Sequence, residues 1–80
     1  MTSIHHTNHL RALRRAHGLA LWGLAVRCGV APSTLSGVER WNYVPGPAVR
    51  GRIAEALGVA EHDIWPDLEL PLPGTSEAAE

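Results

Sequence analysis

An all-α domain is what this sequence predicts, from three observations. Apolar residues recur three and four positions apart in successive short segments, glycine or proline stands at the ends of those segments, and a chain of 80 residues has length for one hydrophobic core. The expected domain covers 8–66, with a loose leader over 1–7 and an acidic, proline-containing tail over 67–80 that is expected to be disordered.

The first helical period places Leu10, Leu13 and Ala16 on one face, with Asn8 or Thr7 able to cap it. Gly18 follows His17, as in a helix that stops on a left-handed residue, so the first helix is expected over 8–17. Leu21, Leu24, Ala25 and Cys28 form the next period, closed by Gly29, for a helix over 20–28. Pro32 suits the first turn of a third helix, where its missing N–H costs nothing, and Leu35 and Val38 mark the buried side of 32–40. The segment from Trp41 to Pro47 holds two prolines and a glycine and reads as a loop that ends at the start of the fourth helix. Val49, Ile53, Ala54 and Leu57 recur at helical spacing before Gly58 closes that helix. A last turn or two, Glu61 to Trp65, brings Ile64 and Trp65 to the bundle and is stopped by Pro66. The chain contains no internal repeat.

The central unit is two short helices joined by a tight turn, Leu21 to Arg40. Ala25 is small enough for the helices to approach closely, and Gly29 stands where a left-handed backbone turns the chain. Leu24, Cys28, Val30, Leu35 and Val38 supply the buried faces. This is the pattern of a helix-turn-helix, whose second helix enters the DNA major groove.

Charge points the same way. The formal net charge is only −1, yet all seven arginines fall between Arg11 and Arg52, a region whose one carboxylate is Glu39. Residues 53–80 hold the other seven carboxylates and no lysine or arginine. A cationic front suggests a polyanion partner, commonly nucleic acid, beside the plainer reading of a solvated surface. The absence of lysine fits the forked hydrogen bonds that arginine gives to phosphate and guanine, as it would fit high-GC coding.

Over Leu10 to Pro66 the sequence resembles the Cro/CI-type, or XRE-like, helix-turn-helix transcriptional regulators. The matching segments are Leu10-Arg11-Ala12-Leu13-Arg14, Gly18-Leu19, Leu24-Ala25, Gly29-Val30, Ser33-Thr34-Leu35-Ser36, Val38-Glu39-Arg40 and Ile53-Ala54-Glu55-Ala56-Leu57-Gly58-Val59. Its ending, Ile64-Trp65-Pro66, is also similar to the small phage Ner-type regulators. The resemblance implies a five-helix, lambda-repressor-like all-α fold and sequence-specific binding of double-stranded DNA. It also implies an ion pair between Arg14 and Glu39, which makes Glu39 structural. The family's base-reading positions correspond here to Pro32, Ser33, Ser36 and Gly37. Only the serines among them hydrogen-bond through side chains, and Gly37 stands where a long polar side chain is common. Leu21 replaces a usual phosphate-touching glutamine, and Ala20 a usual serine or threonine cap. Arg40, Asn42 and Tyr43, with Thr34, are the compensating contacts to phosphates or a groove edge. Small residues on the helix also favour backbone or water-mediated reading, with Pro32 against a thymine methyl.

Other function classes find little here. No nucleophile-base arrangement, glycine-rich phosphate loop or paired-carboxylate motif can be read, so no enzyme and no cofactor is expected. His5, His6 and His9 sit in the leader without a cysteine pair, which argues against a metal site, and Cys28 reads as a buried thiol. No apolar run reaches the roughly 18 residues of a membrane span, and the first residues do not read as a signal peptide. A cytoplasmic, nucleoid-associated protein of bacterial or phage type is expected. Trp65 belongs to the core, whereas Trp22 lies on the outward side of the second helix. With Leu21, and with Val26 or Trp41, it makes an interface, or else it folds back over the first helix. The leading expectation is a transcriptional regulator that binds a pseudo-palindromic operator as a homodimer. The alternative is an adaptor or antirepressor-like module that captures a protein through Leu21 and Trp22.

Overall fold

Five α-helices make up residues 8–66, the part of the chain that the computed structural model describes: α1 Leu10–Ala16, α2 Leu21–Cys28, α3 Pro32–Trp41, α4 Pro47–Leu57 and α5 Glu61–Ile64. The expected leader and acidic tail, with His5 and His6, lie outside the described residues. Among the described residues there is no strand.

The helix ends follow the punctuation of the sequence. Gly29 has φ 69°, where an L side chain is strained, and lets the Val30 N–H turn back to the Ala25 carbonyl at 3.3 Å. Gly18 and Gly58 end α1 and α4 in the same backbone region. Pro32 and Pro47 each stand at the first turn of their helices. The exception is α3, which runs one residue past the expected end and closes on Asn42 at φ 56°. That is tolerable for asparagine, one of the few residues that visit this region without glycine's freedom.

α2 lies in the middle of the fold, against α3 and α4, while α1 packs on α3 and α5 on α4. Leu10, Leu24, Leu35, Val38, Ile53, Leu57, Ile64 and Trp65 are all fully or almost fully buried and form one core, with Ala25 at the close approach of α2. Ala16 is exposed, contrary to the face expected for α1. Positions four apart share a helix face, so the side chain below Leu10 is that of Arg14, whose stem is buried, while Ala16 falls beyond its edge.

Two ties set the entry and exit of the chain. The His9 N–H donates to the Ile64 carbonyl at 2.8 Å, joining the start of α1 to the end of α5. Asn8 accepts the Leu10 N–H through Oδ1 (3.1 Å) and donates through Nδ2 to the Val38 carbonyl (2.9 Å) and Asn42 Oδ1 (3.2 Å). It therefore caps α1 from outside the helix, which is why α1 starts at Leu10. Pro45 is fully buried in the α3–α4 loop, and Arg50 holds its carbonyl (2.8 Å) while pairing with Glu61 at 3.1 Å.

Candidate nucleic-acid interface

The amphipathicity of α3 decides which of its residues meet a partner. Leu35 and Val38 point into the core, and the opposite stripe, at spacings of three and four, carries Ser33, Ser36, Gly37 and Arg40. Ser33 and Arg40 are exposed, and Ser36 and Gly37 are half-buried. Pro32 and Thr34, both half-buried, flank the stripe in the first turn. The sequence-predicted positions of α3 thus share one side of one helix.

Asn42 and Tyr43 adjoin that stripe differently. Asn42 is the C-cap of α3, and its Oδ1 is occupied by Asn8, so part of its side chain serves the fold. The Tyr43 N–H donates to the Gly37 carbonyl at 3.2 Å, and a Cβ added to Gly37 would stand 3.7 Å from that of Tyr43. Tyr43, 53% exposed, therefore borders the place where the helix itself has no side chain.

The stripe is braced from below. Arg14 on α1 donates through Nε and Nη2 to the two carboxylate oxygens of Glu39, at 2.7 and 3.0 Å, and through Nη1 to the Leu19 carbonyl at 2.8 Å. Both side chains are largely buried, at 11% and 6% exposure. The hydrogen bonds that Arg14 donates to Glu39, with the carboxylate's charge, hold its guanidinium above the ordinary arginine range against the cost of burial. This is the pairing that the sequence resemblance implied, and it fixes α3 against α1.

Beside the brace an open cleft of about 440 Å³ separates α1 from α3, lined by Arg11, Arg14, Leu21, Ser36, Glu39 and Arg40. Arg11 was not among the residues singled out from the sequence. Nothing in local periodicity distinguishes it from Arg15; only the packing of α1 on α3 sets it beside the α3 stripe. Of the seven arginines, Arg14 and Arg50 are spent on ion pairs inside the fold, and Arg11, Arg15, Arg27, Arg40 and Arg52 are exposed.

Leu21 and Trp22 prove to be unlike each other. Leu21 is half-buried against the core at the mouth of the cleft, whereas Trp22 is 68% exposed and does not fold back over α1. Its exposed companion is Val26, one turn along the same side of α2 and 71% exposed. Trp41, at the end of α3, is 76% exposed.

Among the described residues no helix is long and apolar enough to cross a membrane, and no group of three or more histidine, cysteine or acidic side chains is placed to hold a metal ion. No curated protein matches the chain. The sequence profile of the helix-turn-helix domain matches residues 8–64, from the Asn8 tie to the last residue of α5. Matched over well more than half its length, and folded as that match requires, the chain belongs to the helix-turn-helix domain family of DNA-binding proteins.

Proposed function

We propose that the protein is a sequence-specific, double-stranded-DNA-binding transcriptional regulator of the XRE, or Cro/CI, kind, which sets α3 in the major groove. The observation that carries this reading is the outer stripe of α3. Ser33, Ser36, Gly37 and Arg40 face away from the core on a helix that the Arg14–Glu39 pair holds rigid. A recognition helix needs such a stripe, because its exposed side chains reach base edges while the first helix of the unit crosses the backbone.

The residues divide by the contacts their chemistry allows. Arg40 is long and forked, suited to phosphate or to guanine. Ser33, Ser36 and Thr34 offer short hydroxyls, Pro32 an apolar contact for a thymine methyl, and Asn42 and Tyr43 extend the surface past the helix end. Short side chains bring the helix axis close to the bases and favour reading through water and backbone. The protein acts as a homodimer on a pseudo-palindromic operator, with half-sites about 34–36 Å apart. Similarity to the phage Ner-type regulators rests on Ile64-Trp65-Pro66, the α5 end whose tryptophan closes the core.

The test is selection from a randomised duplex pool, followed by binding of enriched and scrambled duplexes over a range of salt. A specific regulator enriches one motif and loses affinity with a slope of about −0.9 per phosphate contact. A second reading is favoured by the exposed Trp22 and Val26: an adaptor or antirepressor-like module that docks a protein on α2. It predicts no enriched motif and only weak binding that disappears near physiological salt.

A further inference from the structure

We propose that the exposed face of α2 seats the chain's own segment 68–72, whose leucines cover Trp22 and Val26 while the neighbouring carboxylates are offered to Arg27. The proposal does not rest on the regulator reading.

The side of α2 opposite Leu24, Ala25 and Cys28 carries Trp22, Gly23, Val26 and Arg27. Trp22 and Val26 adjoin on that face, at 68% and 71% exposure. Gly23 adjoins Val26 and Arg27 at spacings of three and four and leaves a notch between them. Leu19 Cδ2 floors it, 3.7 Å from where a Cβ on Gly23 would lie. Arg27 is exposed and has no ion-pair partner among the described residues. The face is an apolar strip with a notch beside it and a cation at its end.

Such a face selects a short linear occupant over a folded one. A stable contact between two folded surfaces buries about 800 Å² on each side, and one aromatic side chain supplies about 150–250 Å². Trp22 and Val26 fall well short of that for a second folded copy. An extended segment needs only a few apolar anchors, and one tethered to the domain acts at a high effective concentration. The chain supplies one directly after Pro66: Asp67-Leu68-Glu69-Leu70-Pro71-Leu72-Pro73. Each proline favours extended backbone at the residue before it. Alternate side chains of extended backbone leave on opposite sides, so Leu68, Leu70 and Leu72 make one apolar edge, with Asp67 and Glu69 along its rim.

Charge and span agree with this occupant. Residues 1–52 hold one carboxylate, Glu39, whose two oxygens are taken by Arg14, so an acid for Arg27 comes from later in the chain or from another molecule. α5 packs on α4 and α4 on α2, which puts two helix-to-helix steps of about 8–10 Å between the end of α5 and α2. The six residues from Pro66 to Leu72 extend to about 20 Å, so Leu70 and Leu72 are the leucines that come over the strip.

Isotope-filtered NOE spectra of the full chain are compared with those of Leu70→Ser/Leu72→Ser, which changes no residue of the described domain. The expected result is contact within one molecule from the Leu70 and Leu72 methyl groups to the Trp22 indole and the Val26 methyl groups. The double variant loses these contacts, and its Trp22 and Val26 resonances shift. Trp22→Ser in turn moves the Leu70 and Leu72 methyl resonances toward those of an unfolded peptide. Trp22 and Val26 resonances that are the same in the wild type and the double variant overturn the proposal. Contacts found only between differently labelled copies in a mixed sample assign the strip to a second molecule and overturn it too. So do contacts that survive the leucine changes and vanish at high salt, which reduce the attraction to charge.

Discussion

Glu39 is the only carboxylate in the arginine-rich part of the chain, and its two oxygens are both used by Arg14. Taking one member from a buried pair strands the other's charge, at a cost of about 3–5 kcal/mol. Domains of this size have a total stability of about 5–15 kcal/mol, so Glu39→Ala should lower the melting temperature by more than ten degrees or so, or leave the domain unfolded. A melt within a few degrees of wild type would show the pair to be dispensable. Asn8 is a second residue whose worth exceeds its appearance, with hydrogen bonds to the Leu10 N–H, the Val38 carbonyl and Asn42. At about 0.5–1.5 kcal/mol for each of the three net hydrogen bonds, Asn8→Ala should cost roughly 1.5–4.5 kcal/mol in denaturant unfolding. Glu39 was recognisable from the sequence through its family pairing. The triple use of Asn8 was not, because two of its partners stand 30 and 34 positions away.

At the scale of elements, the turn between α2 and α3 sets the angle at which α3 is presented. Gly29 has open space around the site of a Cβ, so a side chain there meets no neighbour and any penalty comes from the backbone at φ 69°. Gly29→Ala should therefore destabilise by about 1–2 kcal/mol, with the fold retained. A larger loss, or a collapsed helix content by circular dichroism, would mean that the turn does more than reverse the chain. On the other side of α2, Trp22 and Val26 form an apolar strip one turn long. If that strip pairs two copies or captures a protein, Trp22→Ser abolishes the association while the melt is unchanged. Sedimentation showing a monomer before and after the substitution would remove α2 from any interface. The strip was legible only in part: the outward position of Trp22 follows from periodicity, and of the companions the sequence offered on α2, Val26 is exposed while Leu21 is half-buried against the core.

Across the described residues the arginines divide by role. Two arginines pair with Glu39 and Glu61 inside the fold, and the other five are exposed and open to a polyanion. Binding to any duplex should accordingly weaken as salt rises, and sequence preference should persist after correction for that slope. Titrations of scrambled and enriched duplexes check this directly. Parallel lines on a log–log plot, offset by a constant affinity ratio, are the expected result. A ratio that vanishes at low salt would show binding by charge alone.

The sequence by itself determined, to within a residue or two, where the helices lie and which apolar side chains make most of the core. Leu24, Leu35, Val38, Ile53 and Trp65 could be assigned to the core in advance because helical periodicity and the glycine or proline at each helix end are local properties of the chain. It also identified the outer stripe of α3, since the side opposite Leu35 and Val38 is set by the same periodicity. Tertiary structure alone decided that Arg11 lines the same cleft as Arg40, that Tyr43 stands beside Gly37, that Pro45 is buried in a loop, and that Trp22 does not fold back over α1. These depend on how one helix crosses another and where a loop returns. No period of a single helix encodes such relations, which are settled only when the packed core and ties such as Arg14–Glu39 choose one arrangement.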